Sequence, residues 1–508
     1  MKSYYDFMKE ISADELYDGL LGFGFFAETL PPVFTAEFFL NYCRTNPGFG
    51  TKEEDYIVFN SMRNTSIPRR MGIPSPFKYE ILCSVIKKNW HDLIDHFKKY
   101  TQGQQYPVSR IHLRKIYDKD SHQLKHTLFE MNYKNWKDDC SPENDLLIFD
   151  SIVSQYIVHA DISTCFPSIY THSLAWALAG KDIAKQNRNG NIWYNKIDRA
   201  CQNVKNGETH GLIIGPHASN LLSEIILVVI DKNLLDKGYR FYRNIDDYNC
   251  YVETHEEANR FLCDLEFELR KFDLTLNHKK SKTEKLPIAN TEHWIHKLNT
   301  VSLISSYGQT SYIEVNNYLD LAIKLATDNE NNAVLKYAVK RLADLENITN
   351  NGKAVASKRI MHLAVLYPYL LPVMEKYVLN KYNVKTVSIN EFANALYYNS
   401  LKTQNYEGIC YAIYYSLRYH FDISNINCND LIMTADCLCL LFAWLYYKNR
   451  KCSEVKCLKK EALKLCNVSM GRYWLFIYEV LNESDLSDDW KAMKKHKISF
   501  IDPSIFNS

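Results

Sequence analysis

Three aspartates in two distant segments constrain the fold of this chain more than any other feature. Asp161 ends an apolar segment, and Asp246 follows 85 residues later (246 − 161), directly before Asp247. Strand-like runs at residues 239–243 and 249–252 flank this doublet, which predicts a hairpin with both carboxylates at its tip. The three side chains can serve one site only if the fold brings the hairpin tip beside Asp161.

The elements around these segments predict such a fold. Residues 156–162 are typical of a short central strand, and residues 217–237 predict a helix with a nearly all-apolar middle. Residues 254–257, Thr-His-Glu-Glu, fit a capping box at the start of a second helix, and residues 274–276 predict a further strand. The order strand, helix, hairpin, helix, strand indicates an α+β region with a split β-α-β sheet of the ferredoxin-like kind.

Carboxylates placed in this way predict a site for two Mg²⁺ ions, with Mn²⁺ as a substitute. Two such ions, roughly 3.5–4 Å apart, clamp the attacking and leaving oxygens of a phosphoryl transfer. We expect Asp161 and Asp246 to bridge both ions, Asp247 to support their geometry, and the backbone carbonyl of Ile162 to be a further ligand. A strand-end Asp or an acidic turn is common by itself. The three together, in this order, indicate the chemistry of a polymerase.

Phe166 and a basic segment upstream are candidate nucleotide-binding residues. Phe166 would stand under the sugar and clash with a 2′-OH, which favours dNTPs over rNTPs; the alternative is a core Phe at the start of a helix. Arg110, His112 and Arg114 would share one face of a strand, where the two arginines could bind a triphosphate. The alternative for this segment is a solvated edge strand.

A glycine loop and a lysine complete the predicted site. Gly211 and Gly215 would let the backbone approach a base or sugar closely. Lys280, with Lys282 as the alternative, would protonate the pyrophosphate leaving group or hold the triphosphate. A charged surface loop is the other interpretation of this lysine segment.

Length and composition bound the organisation of the chain. Its 508 residues suggest two or three domains, and a net charge of only +2 means that any nucleic acid must be held in a local groove. The 14 cysteines form no disulfide pattern, and we interpret Cys437, Cys439, Cys452 and Cys457 as buried thiols in a reducing compartment. The most hydrophobic stretch, residues 437–447, is too short to span a bilayer, and the N-terminus is unlike a signal peptide. We therefore expect a cytoplasmic protein with no membrane partner.

From about residue 310 onward the pattern predicts helices only. Repeated helical runs suggest a bundle or an α-solenoid, although no strict sequence repeat is present. The predicted helical runs are residues 318–326, 333–345, 358–366, 389–401, 407–419 and 431–447.

These segments, in this order, resemble reverse transcriptases. Residues 161–168 match the first catalytic motif, residues 245–247 match the end of the second, and residues 274–277 with Lys280 are similar to the motif that follows. The resemblance is tightest to the bacterial abortive-infection (Abi) phage-defence polymerases, the AbiK-like group, and extends at motif level over about residues 20–290. The segments that carry it are residues 31–34, 67–70, 74–79, 169–173, 180–188 and 208–211.

The resemblance implies an architecture and an activity. It implies an N-terminal helical region and fingers at residues 1–150, a palm at 151–300 and an all-helical, HEAT-like domain in place of a thumb at 301–508. Members of the family are homo-oligomers of the bacterial cytoplasm. They use dNTPs to make DNA without a template, starting from a protein hydroxyl, so that single-stranded product stays covalently attached. They act in antiphage defence.

Two positions depart from the family pattern, and the priming residue does not transfer. Asn244 stands where a Tyr is common, which removes an aromatic ring next to the site, and Ile214 stands where Gln or Thr is usual before the second glycine. Tyr4, Tyr5 and Tyr17 are candidate priming residues because an N-terminal tail could reach the site.

Two other functions remain open at this point. One is a template-copying reverse transcriptase of the retron or intron type, which the near-neutral charge disfavours because a duplex-gripping thumb is usually basic. The other is a non-catalytic sensor of nucleotides or nucleic acid built on a retired polymerase fold. The intact set of three carboxylates argues against the sensor.

Overall fold

The computed structural model describes residues 3–506 with a number of gaps. The gaps are residues 47, 51–53, 64, 66, 111, 118–123, 126–128, 131–152, 289–291, 305–307 and 330–332. The chain divides into two compact units. Unit 1 comprises Met1–Ala27, Thr35–Ile57 and Gly72–Ile288, and unit 2 comprises Glu28–Phe34, Val58–Met71 and Ala289–Ser508. The predicted domain boundary at residue 150 falls in a gap, and the predicted domain limits remain predictions.

Ten strands lie within the described residues. They are β1 (Ile57–Ser61), β2 (Arg69–Ile73), β3 (His112–Leu113), β4 (Ile116–Tyr117), β5 (Leu124–Lys125), β6 (Phe129–Glu130), β7 (Tyr156–Asp161), β8 (Arg240–Asn244), β9 (Asp247–Val252) and β10 (Lys282–Lys285). The last four form one sheet in the order β10-β7-β9-β8, with antiparallel neighbours throughout. The others pair as β1 with β2, β3 with β6 and β4 with β5.

The four-stranded sheet has the strand order that a split β-α-β layout produces. The predicted strand that ends at Asp161 and the predicted hairpin are both confirmed. The prediction of a strand at residues 274–276 is wrong, since that segment makes only an isolated bridge between Leu276 and Ile162. The fourth strand is β10 instead. Its sequence, Lys-Thr-Glu-Lys, lacks apolar alternation because it lies at an edge of the sheet, where charged side chains are tolerated.

The described part of unit 1 also contains helices. They are Tyr4–Met8, Ala13–Asp18, the π-helical Gly19–Phe23, Glu37–Thr45, Pro76–Lys88, Trp90–Thr101, Cys165–Ser168, His172–Ala179, Lys181–Gln186, Trp193–Val204, Ala218–Asp236 and His255–Arg270. We call Ala218–Asp236 the central helix. Its side chains are buried on all sides along most of its length, as expected for a helix that is apolar all round.

The helix His255–Arg270 begins with half of the predicted capping box. The hydroxyl of Thr254 accepts a hydrogen bond from the N–H of Glu257 at 3.2 Å. The carboxylate of Glu257 accepts instead from the N–H of Glu253 at 2.9 Å. The cap therefore starts the helix where the sequence predicts, with a different partner for the glutamate.

Unit 2 is mainly helical. Its helices are His293–Thr300, Tyr312–Asp328, Ala333–Ala343, Asn350–Leu366, Leu371–Met374, Thr386–Thr403, Tyr406–Arg418, Cys428–Met433, Cys437–Asn449, Val455–Val480 and Asp488–Lys495, with 3-10 turns at Pro368–Leu370, Glu483–Asp485 and Pro503–Phe506 and a π-helical turn at Glu375–Leu379. The helix Val455–Val480 is kinked at Ser469 and Tyr473, whose backbone angles are not helical, and HEAT-like repetition remains a prediction. No helix within the described ranges is long and apolar enough to cross a membrane.

One predicted helical run of unit 2 is broken. Residues 431–447 form parts of two helices, Cys428–Met433 and Cys437–Asn449. The first helix ends at Met433, and Ala435 has a φ of +50°, a backbone conformation that does not allow the helix to continue. The carboxylate of Asp436 then accepts from the backbone N–H groups of residues 438 and 439 at 3.0 and 2.9 Å and begins the next one. The apolar pattern on both sides conceals this break.

The cysteines agree in part with their predicted state. None of those that the structure describes is in a disulfide, and Cys437 and Cys439 are buried as predicted. Cys452 is only partly buried and Cys457 is exposed, so the prediction of a buried thiol is wrong for Cys457. Cys457 lies on the helix Val455–Val480, near its exposed N-terminal end.

Candidate active site

The register of the sheet brings the three predicted aspartates to one end of it. Asp161, the last residue of β7, lies opposite Asp247, the first residue of β9. Asp247 also pairs with Asn244 of β8, so the turn of the hairpin consists of residue 245 and Asp246 alone. The N–H of Ile162 donates to the carbonyl of Asp246 at 3.1 Å, which ties the turn to the chain that follows β7.

Two side chains from one segment after the helix His255–Arg270 hold the carboxylate of Asp161. Asn277 donates from Nδ2 to Oδ2 at 2.8 Å, and its own N–H donates to the carbonyl of Asp161 at 2.7 Å. Lys280 places its ammonium nitrogen 3.3 Å from Oδ1 of the same carboxylate. Lys280 was predicted as a site residue, whereas Asn277 was predicted only as part of the motif segment 274–277. The signal for Asn277 was its place directly after residues 274–276, which the predicted layout set beside β7.

Lys282, the alternative to Lys280, has a different partner. Lys282 is on β10, and its ammonium nitrogen is 2.9 Å from Oε2 of Glu284 on the same strand. Of the two lysines, therefore, Lys280 is the one that the structure brings to Asp161. Its role toward a leaving group remains a prediction.

Negative charge is concentrated at this end of the sheet. Partial burial of its carboxyl group, followed by the charges of Asp246 and Asp161, raises the pKa of Asp247 to about 7. The charge of Lys280 acts in the opposite direction. Like charges at close range disfavour ionisation of both groups, and a divalent cation would relieve that repulsion.

The donor chemistry of the site fits a hard cation, although no closed cage is formed. Carboxylate and carbonyl oxygens, as supplied by the three aspartates and Ile162, are the ligands that Mg²⁺ prefers. Within the part of the chain that the structure describes, no group of three or more His, Cys, Asp or Glu side chains is arranged to hold a metal ion. Asp161 is engaged by Asn277 and Lys280 instead. Metal binding remains a prediction.

Phe166 and the glycine loop lie next to each other. Phe166 is half-buried in the short helix Cys165–Ser168, and its carbonyl accepts from the N–H of Leu212 at 2.8 Å. Gly211 has a φ of +80°, and a Cβ there would approach the carbonyl oxygen of Pro167 to 2.8 Å. Gly215 has a φ of +137°. Both glycines are therefore explained by the backbone, and contact of this loop or of Phe166 with a nucleotide remains a prediction.

The basic segment does not form the predicted strand face. β3 contains only His112 and Leu113, so Arg110 and Arg114 lie outside it. Arg110 is 3% exposed, and its guanidinium carbon is 3.8 Å from the ring centroid of Tyr242. The reason is that the backbone here follows β8 instead: the N–H of Arg110 donates to the carbonyl of Arg243 at 2.8 Å. Arg114 is half-buried, and phosphate binding by either arginine remains a prediction.

A buried ion network around Arg243 was not predicted from the sequence. Arg243 of β8 is fully buried and bonds two carboxylates of the central helix, Glu224 and Asp231. Its Nη1 also donates to the carbonyl of Ile245 in the turn, at 2.8 Å. The available signal was the pair of acidic residues, seven positions apart (231 − 224), at the two ends of the apolar run 225–230. That spacing places both on one helix face.

The three candidate priming tyrosines differ in exposure. Tyr4 and Tyr17 are buried, and burial raises the pKa of both hydroxyls. The hydroxyl of Tyr17 donates to Oε1 of Glu80 at 3.0 Å. Tyr5 alone among the three is partly exposed. In this conformation only Tyr5 presents its side chain to solvent.

The comparisons with known proteins assign neither a family nor an activity to this chain. The sequence matches no protein-family model. It also matches no curated protein. Among solved structures, apo telomerase from Candida tropicalis, truncated from the C-terminal domain, is similar with a TM-score of 0.28 and 15% sequence identity, over 50% of this chain and 55% of the telomerase chain. The chain thus spans about half the length of that telomerase, and a match this distant assigns no activity.

Proposed function

We propose that this protein is a Mg²⁺-dependent nucleotidyltransferase, a DNA polymerase of the abortive-infection reverse-transcriptase type. The observation that carries the proposal is the register that sets Asp161 opposite Asp247, with Asp246 in the adjoining turn. Three carboxylates at the end of one sheet provide the charge that phosphoryl transfer requires. The split β-α-β strand order, which the sequence predicts independently, supports the same proposal.

In the proposed reaction a hydroxyl oxygen attacks the α-phosphorus of a dNTP. A new P–O bond forms, the bond between the α-phosphorus and the oxygen shared with the β-phosphate breaks, and pyrophosphate leaves with that electron pair while the hydroxyl proton passes to solvent water. Asp161, Asp246 and Asp247 would hold two divalent ions, which when bound stabilise the attacking and leaving oxygens. Lys280, whose ammonium nitrogen is 3.3 Å from Asp161, would assist the leaving pyrophosphate, and Phe166 would exclude a 2′-OH.

The first acceptor in this proposal is a hydroxyl of the protein, and later acceptors are 3′-OH groups of the growing DNA. Synthesis would need no template, and the single-stranded product would stay attached. Tyr5 is the first residue to consider as primer because its side chain is partly exposed, whereas those of Tyr4 and Tyr17 are buried. Asn244, in place of an aromatic residue, fits a site that holds no conventional primer end.

We propose antiphage defence as the biological setting and a homo-oligomer as the active form. Both follow from the resemblance of the motifs to abortive-infection polymerases. The mainly helical unit 2 is consistent with the helical domain that this family carries in place of a thumb.

The proposal predicts that the purified protein labels itself. With Mg²⁺ and each labelled dNTP, but no template or primer, we expect label that stays with the protein on a denaturing gel and disappears after protease treatment. Asp246→Asn combined with Asp247→Asn removes two carboxylates of the site and should abolish labelling by orders of magnitude. Asp344→Asn, an exposed aspartate of unit 2, is the matched control and should label normally.

Each other outcome selects a different function. Labelled product only with added template and primer indicates a template-copying reverse transcriptase. Nucleotide binding without pyrophosphate release under any condition indicates a sensor. Labelling that persists in the double variant shows that these carboxylates do not carry the reaction.

A further inference from the structure

The guanidinium of Arg243 uses all of its hydrogen-bonding capacity inside the protein. Arg has five N–H donors and no acceptor. Nη1 and Nη2 donate to the two oxygens of Glu224 at 2.7 and 3.0 Å. Nη2 and Nε donate to Asp231, with the shortest distance 2.7 Å. The remaining donor, on Nη1, goes to the carbonyl of Ile245 at 2.8 Å. Four of the five donors thus fix the guanidinium, and the fifth connects it to the turn.

The charges of this network keep the arginine in place. Arg243 is 0% exposed, and the nearby charges of Asp231 and Glu224 outweigh its own burial and hold its pKa well above the usual value. Both carboxylates come from one face of the central helix, so they form a rigid receptor for a planar fork. A guanidinium bound in this way has little freedom to follow movements of the turn.

The turn that receives the fifth donor is strained. Ile245 has a φ of +54°, in the left-handed region that a β-branched residue rarely adopts. The first central position of a tight hairpin turn often requires such a φ and is usually filled by Gly, Asn or Asp. Backbone strain of this kind persists only where the surroundings hold it. The hydrogen bond from Arg243 is one such constraint, and the hydrogen bond from the N–H of Ile162 to the carbonyl of Asp246 is another.

We propose that Arg243 is a positioning residue that sets the catalytic carboxylates. The central helix holds the guanidinium of Arg243, which donates to the carbonyl of Ile245. Arg243 therefore fixes the turn, and with it Asp246 and Asp247, relative to the central helix. This inference rests on the proposed nucleotidyl transfer for its catalytic consequence, but its structural consequence is separate. Loss of the fifth donor should displace the two carboxylates and weaken cation binding even where the fold is retained.

The test separates the charge of Arg243 from its hydrogen bond to the turn. In the triple variant Arg243→Met, Glu224→Met, Asp231→Leu no buried charge and no buried polar side chain of this network is left unpaired, so the protein should fold, but the carbonyl of Ile245 has lost its donor. Arg243→Lys is the second variant: it keeps the charge, and an ammonium cannot reproduce the planar fork. Arg240→Met is the matched control, an exposed arginine at the start of the same strand.

Three readouts are taken on the full-length protein: the urea unfolding midpoint, calorimetric binding of Mn²⁺ alone, and kcat and KM for dNTP incorporation. For the triple variant and Arg243→Lys we expect Mn²⁺ affinity about ten-fold lower. We expect kcat about 100-fold lower with KM nearly unchanged, since a misplacement on the order of 1 Å has effects of this size. The unfolding midpoint of the triple variant should stay near that of the wild type, and Arg240→Met should match the wild type throughout.

The three readouts distinguish failure of the proposed nucleotidyl transfer from failure of the positioning role of Arg243. A wild-type protein that binds Mn²⁺ but incorporates no dNTP overturns the proposed function, and the Mn²⁺ affinities of the variants still decide the role of Arg243. Unchanged Mn²⁺ affinity in Arg243→Lys or in a folded triple variant overturns the positioning role. A wild-type protein that binds no Mn²⁺ overturns both.

Discussion

Buried carboxylates occur in both units, with different partners. In unit 1, Glu224 and Asp231 share the guanidinium of Arg243 at distances of 2.7 Å. In unit 2, Glu407 accepts from the hydroxyl of Ser61 at 3.0 Å and from the N–H of Met62 at 2.6 Å. Both of these donors are neutral, and the structure shows no cationic partner for Glu407 within its described residues. The first arrangement pairs charge with charge, and the second relies on hydrogen bonds alone.

Burial raises the pKa of Asp231 in the first arrangement and of Glu407 in the second, but the groups that oppose it differ. Burial raises the pKa of Asp231, and the charge of Arg243 opposes that effect. Burial raises the pKa of Glu407 to about 7, and the bonds from Met62 and Ser61 offset it only in part. At Glu407 the opposing groups are neutral donors, which cannot replace the solvation that an ion loses, whereas at Asp231 the opposing group carries a full positive charge.

The largest effect on stability should follow from removing the guanidinium of Arg243 in unit 1. Arg243→Met leaves two buried carboxylates without a counter-charge, and breaking a buried ion pair in this way typically costs about 3–5 kcal/mol of stability. Urea unfolding followed by circular dichroism should show this loss. Arg240→Met should change stability by less than about 0.5 kcal/mol because Arg240 is exposed. An unchanged midpoint in Arg243→Met would mean that the network contributes no net stability.

A smaller effect, dependent on pH, should follow from neutralising Glu407. Its folded pKa of about 7 lies above the ordinary value of 4.5, so the folded state binds the proton more tightly than the unfolded state. The stability from this group is complete below about pH 4.5 and is lost as the pH rises through 7. By this linkage the wild type loses up to about 3 kcal/mol between pH 5 and pH 8.

Glu407→Gln removes this titration and keeps the hydrogen bonds. The amide oxygen can accept from Met62 while the amide nitrogen donates to Ser61, so the variant should lose less stability than the wild type between pH 5 and pH 8. Unfolding midpoints at the two pH values measure the difference. Glu346→Gln, at an exposed glutamate of unit 2, should show the wild-type dependence. Parallel pH profiles for Glu407→Gln and the wild type would exclude a titrating Glu407.

The smallest effect on stability should follow from changing Ile245 in the strained turn. Ile245→Gly relieves the left-handed strain but adds the conformational entropy of glycine to the unfolded state, so its own effect should stay within about 1 kcal/mol. Combined with Arg243→Lys in a double-mutant cycle, it should show a coupling of about 1 kcal/mol, because a relaxed turn depends less on the arginine. Ile245→Val keeps the β-branch and should show no coupling. Equal coupling for Gly and Val would remove strain as the explanation.

Much of unit 1 near the site was predictable from local pattern. The apolar run before Asp161, the doublet at residues 246–247 and the Thr254 cap each lie within one short segment. Alternation, capping and turn chemistry act over a few residues, so they can be recognised without knowledge of the rest of the chain. The helical runs of unit 2 were predictable for the same reason, except where Ala435 and Asp436 break an apolar stretch whose pattern continues on both sides.

The sequence by itself determined three of the four strands of the central sheet, β7, β8 and β9, and the three aspartates at its end, because periodicity and residue order decide these locally. The edge strand β10 has no such periodicity and was not predicted. Only the tertiary structure decided which polar groups support those aspartates. Asn277 reaches Asp161 across 116 residues of sequence, and Arg243 meets Glu224 and Asp231 across 19 and 12. Such partners are chosen by packing, since a buried polar group must find whatever complementary group the fold places beside it. The same reason explains why Arg110, expected on an open face, lies buried against Tyr242.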